Sequence, residues 1–523
     1  MAVNTGNPRA SLAYYTIVRP TSSYTKGYAD SLDRMFYVQH RVGAQANVLV
    51  SAHYAPTTST CHDHLSKEAV YSAIRSIITV YPELSLIGVP ELLTETGHHA
   101  LLLAALHEID LGTCVEFLDD EAPVARPEVI ERLHNHWDWT DEQFNPRKPW
   151  WRVVILGRRE VVFIFHHLIC DGRFGYIFHR QFLTAINSFN EQNKPCSRII
   201  KIDPERVKLS REMEEFWNGS TSVLRLIHIS FMFLLLRLFF GRRLLFTGLP
   251  KPKSHAKSAI ANAGPEHRTK TRIATLRITA SRMRRILAVC REHNTTFTPL
   301  IIVITLCTLA CDYYPKAKIG ISNCALDMRS LYPCGMESIT SGKFLQHSSG
   351  TSKFTWLDRY RRVFHPTPSD KAHSKAGGKI TNVDVDGAWE LVREYRVSIN
   401  KAFEGNQPPL VVPFRAANAV SDDLDGMLSS YFPALGLHLN NSVQVSNLGA
   451  FSTGDQGGRW KIEDISFSAS AVNGNISYNI AFNVAGVEGG DTVICASYED
   501  GILEKEMVSG ILEAALEKIE AII

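Results

Sequence analysis

Apolar residues recur along the chain with two periods, and the alternation between them predicts the fold class. In "LSKEAVYSAIRSIITVYPEL", residues 65–84, Leu65, Ala69, Ala73, Ile77 and Val80 fall at helical spacing and the pattern stops at Pro82. An amphipathic helix lying against a sheet is expected there. "PWWRVVILGRREVVFIFHHLICDG", residues 149–172, reads as strand, turn and strand: "WRVVIL" and "VVFIF" are β-branched and aromatic, and "GRRE" between them is polar. "GYIFHRQFLTAINSFNEQ" then resumes the helical period, so the segment between, with two adjacent histidines, occupies a strand-to-helix junction.

The second half repeats the alternation. "TRIATLRITA" reads as a strand, "SRMRRILAVCREHN" as a helix opened by a Ser or Thr cap, and "TPLIIVITLCTLACDYY" as a buried helix beginning near Pro299. "NSVQVSNLGAF", "KIEDISFSAS", "ISYNIAFNV" and "DTVICASYED" follow as strands, and a helix from about Met507 ends the sequence. Residues 366–382 are loop-like. Mixed elements in both halves give an α/β protein of two lobes, each a sheet with flanking helices. The expected division is 1–205, a linker 206–265, and 266–523.

One stretch obeys neither period. "LIHISFMFLLLRLFF", residues 226–240, is apolar except at His228, Ser230 and Arg237, and Arg225, Arg242 and Arg243 flank it. A bilayer span needs about 20 residues, and Arg237 at mid-membrane would cost about 2.5–3.5 kcal/mol, so a simple span is disfavoured. Two readings stay open: a helix or hairpin lying in one leaflet with its arginines at the headgroups, or an ordinary buried inter-lobe helix.

Composition narrows the function. The chain has 523 residues, 45% apolar and 21% charged, the profile of a protein with an ample core. A net charge of +3 and the lack of like-charge runs give no reason to expect nucleic acid as a partner. Ten cysteines are scattered without paired spacing, and the N-terminal residues lack a signal-like pattern; both point to a reducing, cytoplasmic setting.

The candidate chemistry lies at His166, His167, Asp171 and Gly172. Neighbouring residues on a strand point to opposite faces, so only one imidazole is expected to meet a substrate. Imidazole is the side chain best suited to taking a proton from a hydroxyl or amine near neutral pH. Asp171 could orient that ring, or pair with an arginine elsewhere to hold the loop. Gly172 permits backbone geometry or close approach that a side chain would forbid. The competing reading is a pair of core histidines ending a strand. A metal site is not expected: "HH" has the wrong spacing for a shared ligand face, and neither "CHDH" at 61–64 nor "HNHWDW" at 134–139 completes a four-ligand pattern. No "GxSxG" elbow offers a serine nucleophile.

These four positions match HHxxxDG, and the chain resembles the CoA-dependent acyltransferase superfamily that carries this signature. That superfamily includes chloramphenicol acetyltransferase, plant BAHD enzymes and condensation domains, and the resemblance is nearest to fungal alcohol O-acetyltransferases. Supporting stretches are "LDRMFYVQHRVGAQANVLV" at 32–50, "KPWWRVVIL" at 148–156, "CREHNTTFTPLIIVITL" at 290–306, "ALDMRSLYP" at 325–333 and "VSNLGAF" at 445–451. The resemblance implies two chloramphenicol-acetyltransferase-like lobes meeting along a tunnel. His167 would be the general base and Asp171 mainly structural, paired with an arginine for which Arg329 fits best. It further implies acetyl-CoA as co-substrate with no bound cofactor; the apolar stretch at 226–240 would suit a small lipophilic alcohol such as a terpenoid as acceptor, and a monomer is expected. Ser446 or Asn447 could stabilise the oxyanion, or "SNLG" could be a turn using Asn and Gly for geometry alone. The plant branch's "DFGWG" is absent. With residues 226–240 on a leaflet, the location would be peripheral on endoplasmic reticulum or lipid-droplet membrane. Two alternatives remain: condensation on a carrier-protein thioester, and a membrane-attached binding protein that has lost turnover.

Overall fold

A computed structural model describes residues 14–18, 31–41, 43–58, 64–92, 99–122, 124–137, 148–190, 197–208, 223–250, 268–329, 345–364, 383–404, 442–452, 457–472 and 478–523. The expected loop at 366–382 and much of the expected linker lie outside these residues.

Two large sheets organise the molecule. The first contains β2 (Val48–Pro56), β6 (Val115–Leu118), β7 (Trp151–Leu156), β8 (Glu160–Phe165) and β14 (Trp460–Ala469), in the order β14-β2-β8-β7-β6. β7 and β8 form the antiparallel hairpin read from the sequence, turning through Gly157 and Arg158, both with left-handed backbones (φ 51° and 57°). β8 is central and buried at every position, which explains its unbroken apolar run where a half-exposed strand would alternate. Two smaller sheets lie in this half: β1 (Tyr15–Ile17), β4 (His99–Leu106) and β3 (Leu86–Leu92) form one, and β5 (Glu108–Asp110) and β9 (Ile199–Lys201) the other.

The second large sheet has the order β10-β16-β15-β13-β11-β12, built from β10 (Thr271–Ile278), β11 (Ile319–Asp327), β12 (Ser348–Trp356), β13 (Ser442–Phe451), β15 (Ile480–Val487) and β16 (Thr492–Glu499). β14 therefore departs from the division at 266: it follows β13 in sequence but pairs antiparallel with β2 of the first sheet. Its alternating pattern identified a strand, and nothing in that pattern says which sheet receives it.

Ten α-helices flank these sheets among the described residues: α1 (Ser31–Arg41), α2 (Lys67–Val80), α3 (Pro127–His134), α4 (Gly172–Asn187), α5 (Val223–Phe240), α6 (Ala280–Glu292), α7 (Phe297–Thr308), α8 (Leu357–Val363), α9 (Val385–Glu404) and α10 (Lys505–Ile522). α2 is capped by Ser66, whose hydroxyl accepts from Ala69 N–H at 3.2 Å, and it packs mainly on α4 rather than directly on a sheet. Ala69, Ala73 and Ile77 are buried as expected, but Val80 in the last turn is half exposed, because the packed face ends with Ile77 and Ile78. α6 begins after Thr279, whose hydroxyl caps nothing; Asp491 accepts from Ala280 N–H at 2.9 Å instead, so the cap comes from the β15–β16 turn rather than from a local Ser or Thr. α7 is buried at every position but Thr298, as its apolar sequence requires.

Candidate active site

The doubled histidine sits just past the end of β8. His166 N–H still donates to Trp150 O at 2.9 Å, continuing the hairpin ladder, and its carbonyl then accepts from Ile169 N–H at 3.0 Å as the chain turns. The two rings therefore diverge. His166 is buried against Trp150 and His40, each at a 4.8 Å ring separation, and its Nδ1 accepts from Leu168 N–H at 3.0 Å. Burial, reinforced by His40 and His167, holds it well below the ordinary histidine range, so it is a neutral packing residue.

His167 takes the other direction. It lines a cavity of about 410 Å³ shared by the two sheets, walled on one side by Met35, Phe36 and Gly172 and on the other by Asn323, Ser352 and Ser446. Phe36 of α1 stacks face to face on the imidazole, centroids 3.8 Å apart and planes within 5°. Nδ1 is enclosed, which leaves Nε2 as the nitrogen on the cavity side. Burial lowers the pKa of the ring; the backbone of His167 itself, the charge of Asp171 and the Cys170 backbone oppose that shift without cancelling it. The imidazole is thus neutral at pH 7 and able to accept a proton.

Asp171 does not orient this ring. Its Oδ1 accepts from Phe174 N–H at 2.9 Å, making Asp171 the N-cap of α4. Arg329 grips both oxygens, with Nη2 3.0 Å from Oδ1 and Nη1 2.8 Å from Oδ2, and His347 N–H donates to Oδ2 at 2.8 Å. The Asp171 N–H donates to Leu345 O at 3.0 Å. Burial alone would raise the carboxyl pKa, but Arg329 and the two N–H donors outweigh it and hold Asp171 below the usual carboxylate range. Arg329 also reaches Asp327 at 3.1 Å, and these charges keep it fully protonated. Asp171 is consequently the point where the histidine turn, the start of α4 and the segment between β11 and β12 are joined.

Gly172 is explained by close approach: a Cβ there would stand 2.9 Å from Leu448 Cδ2 and 3.0 Å from the Phe467 ring. Both oxyanion candidates, Ser446 and Asn447, line the cavity, and Asn447 also bonds the backbone around it. Its Oδ1 accepts from Gly449 N–H at 2.8 Å across a bulge where Gly449 has φ 75°, and its Nδ2 donates to Thr298 Oγ1 at 3.0 Å. These bonds fit the turn-forming reading of Asn447 without removing it from the cavity wall. Ser446 lines the cavity, and its hydroxyl makes no hydrogen bond among the described residues. Phe36 and His347 were not singled out from the sequence. Phe36 lies within the stretch at 32–50, but nothing local marks its ring, and His347 acts through its backbone. Among the described residues no cluster of three His, Cys, Asp or Glu side chains is placed to hold a metal ion.

Residues 138–330, which include the histidine turn and Arg329, match the family described as alcohol acetyltransferase. That stretch carries the alcohol acetyltransferase pattern. The chain is 30% identical over 196 residues to a probable alcohol acetyltransferase, crmB, of Aspergillus fumigatus, covering 34% of this chain and 41% of that protein. It is 24% identical over 222 residues to a probable alcohol acetyltransferase, FCK4, of Fusarium pseudograminearum, covering 42% and 40%. The aligned region is thus about two fifths of the length of these curated relatives. The fold likeness runs much further. The TRI3 trichothecene 15-O-acetyltransferase of Fusarium sporotrichioides superposes with a TM-score of 0.65 over 97% of this chain and 98% of its own, at 12% identity. The condensation domain of the monacolin K polyketide synthase MokA gives 0.53 over 95% and 96%, also at 12% identity. The alcohol acetyltransferase pattern therefore sits within the two-lobed fold shared by acetyltransferases and condensation domains.

Proposed function

We propose that this protein is an acyl-CoA-dependent O-acyltransferase that moves an acetyl or short acyl group from acetyl-CoA to the hydroxyl of a small lipophilic alcohol. The observation that carries the reading is the placement of His167, a neutral imidazole with Nδ1 enclosed and Nε2 on the cavity side, on a cavity between the two sheets. Nε2 takes the hydroxyl proton as the alcohol oxygen attacks the thioester carbonyl carbon. The resulting tetrahedral oxyanion collapses, the C–S bond breaks, and the departing thiolate receives the proton held by the imidazolium. No acyl-enzyme is formed. The Ser446 hydroxyl is a candidate donor to the oxyanion. Arg329 and Asp171 fix the turn from which His167 projects, so the reacting groups meet a preformed geometry.

The test is to incubate the full chain and its His167→Ala variant with acetyl-CoA and a panel of sterols, terpenols and simple alcohols, following thiol release and ester mass. Ester formation by the parent and a loss of about 10²–10⁴-fold in the variant are expected. Equal yields would remove His167 from the mechanism. Transfer only when the acyl group is supplied on a carrier-protein thioester would replace this reading with the condensation type.

A further inference from the structure

The described chain contains two strongly apolar helices with opposite surroundings. α7 is buried among other core elements at every position but Thr298. α5 carries no acidic residue, and Leu224, Ile227, Phe231, Leu234, Leu238 and Phe239 along it are all exposed, the last two by 70% and 72%. At 100° per residue these positions spread over close to half of the helix circumference, with His228 among them near the start. Arg237 falls on the opposite side, with Leu236 and Phe240, where burial lowers its pKa. The one charge in the apolar run is therefore half-buried and lies away from the exposed apolar arc.

The same apolar surface continues onto β12, the edge strand of the second sheet. Phe240 packs edge-on against Trp356 at 5.4 Å, and Trp356 and Phe354 are themselves exposed by 58% and 45%. Gly350, Ser352, Phe354 and Trp356 alternate along β12 and so share one face. Gly350 and Ser352 on that face line the cavity of His167, so Trp356 lies about 13 Å along the strand from the cavity wall. Past α5, Arg242 and Arg243 are exposed, and the chain is tied to the body by Leu244, Leu245 and Phe246, all buried, with Leu245 N–H donating to Ile319 O at 3.1 Å. No single described helix is long and apolar enough to cross a bilayer.

We propose that the exposed face of α5, with Phe354 and Trp356, docks on a lipid bilayer bearing anionic headgroups, immersed in one leaflet, with Arg242 and Arg243 at the headgroups. The occupant is chosen by charge: α5 carries no acidic residue, Arg242 and Arg243 rim it, and the exposed Asp358 beyond Trp356 is paired with Lys318 and Arg361, so the surface suits an anionic lipid bilayer. Resting on the acyltransferase reading, the β12 face then serves as the route by which a bilayer-dissolved alcohol reaches His167.

The test is co-sedimentation of the full chain with phosphatidylcholine vesicles and with vesicles containing 30% phosphatidylserine, a composition set by the experimenter, against a Phe231→Glu/Phe239→Glu double variant and an Arg242→Glu/Arg243→Glu double variant. The expected result is binding that favours the anionic vesicles, at least tenfold less pelleted protein for the phenylalanine variant, and salt-sensitive weakening for the arginine variant. Melting by circular dichroism should be unchanged, since these side chains are exposed. Retention of the parent in the supernatant, or equal pelleting of the phenylalanine variant, overturns the proposal. So does light scattering that shows a parental dimer which this variant splits, because the face would then be a self-interface. Transfer to a water-soluble alcohol is measured alongside: vesicle binding without transfer sinks the functional reading alone, and transfer without vesicle binding sinks the docking alone.

Discussion

At the scale of single residues, the arrangement around His167 makes a directional statement about pH. The ring's pKa is lowered by burial, and in the proposed mechanism the working form is the neutral base, so lowering the pKa would extend activity to more acid solution. The acid limb of kcat/KM is expected below the ordinary histidine value of 6.5, with a flat profile between pH 7 and 8. A limb centred at or above 6.5 would show that another group controls the rate. Asp171 makes a different prediction. Removing one member of a buried, bidentate ion pair leaves an unpaired charge, so Asp171→Ala or Arg329→Ala should each cost about 3–5 kcal/mol in urea unfolding. The double replacement should cost clearly less than the two losses added together, and simple additivity would mean the pair is not coupled. The motif made His167, Asp171 and Gly172 legible in the sequence. Their partners were not, because Phe36 and the His347 amide reach the site from other elements. His347 meets Asp171 across 176 residues, a distance over which spacing carries no signal.

At the scale of elements, two glycines at the start of α4 do different jobs. A Cβ on Gly175 would lie 2.3 Å from Val50 Cγ2 and 2.9 Å from its Cβ, a branched side chain held rigidly in β2. A Cβ on Gly172 meets Leu448 and Phe467 at 2.9–3.0 Å, at the cavity wall. Gly175→Ala should therefore lose more stability, about 1–3 kcal/mol by the cost of overpacking, while Gly172→Ala should lose proportionally more activity than stability. Denaturation midpoints and kcat/KM on both variants check this; the reverse ranking would refute it. Periodicity identified the strands β7, β8, β10 and β13 to β16 and the helices α2, α4, α6, α7 and α10 because burial imposes it directly; β1 to β6, β9, β11 and β12 were not read from it. It failed where the cause is non-local: Val80 lies past the packed face of α2, and the cap of α6 is Asp491, some 200 residues away in the chain.

Across the whole molecule, buried histidines set an acid limit. His134 holds Asn47 of the segment before β2 at 2.6 Å and Ser468 of β14 at 3.0 Å, and burial pushes its pKa down to about 3. His347 is likewise held at about 3, mainly by burial and then by Arg329. For both groups the unfolded chain binds protons near 6.5 and the folded protein does not. Their contribution is thus intact above pH 6.5 and declines steadily as pH falls toward 3, with the Asp171 contribution lost in turn below about 4. The urea midpoint should fall continuously between pH 6.5 and 4.5; a constant midpoint over that range would refute the assignment. The two-lobed architecture was legible from the alternation of elements. The crossing of β14 was not, since a strand's residues specify its faces but not its neighbour.

That crossing constrains how reactants arrive. β14 leaves the second sheet after β13, runs beside β2 from Trp460 to Ala469, and returns to the second sheet as β15, anchored by Ser470 N–H to Asn47 O at 2.8 Å and Asn479 N–H to Ser442 O at 3.0 Å. It is a strap sewn through both halves. Hinging them apart would unzip the backbone ladder along β2 and bare an edge that invites aggregation. Access to the cavity of His167 therefore does not come from parting the two sheets along β2.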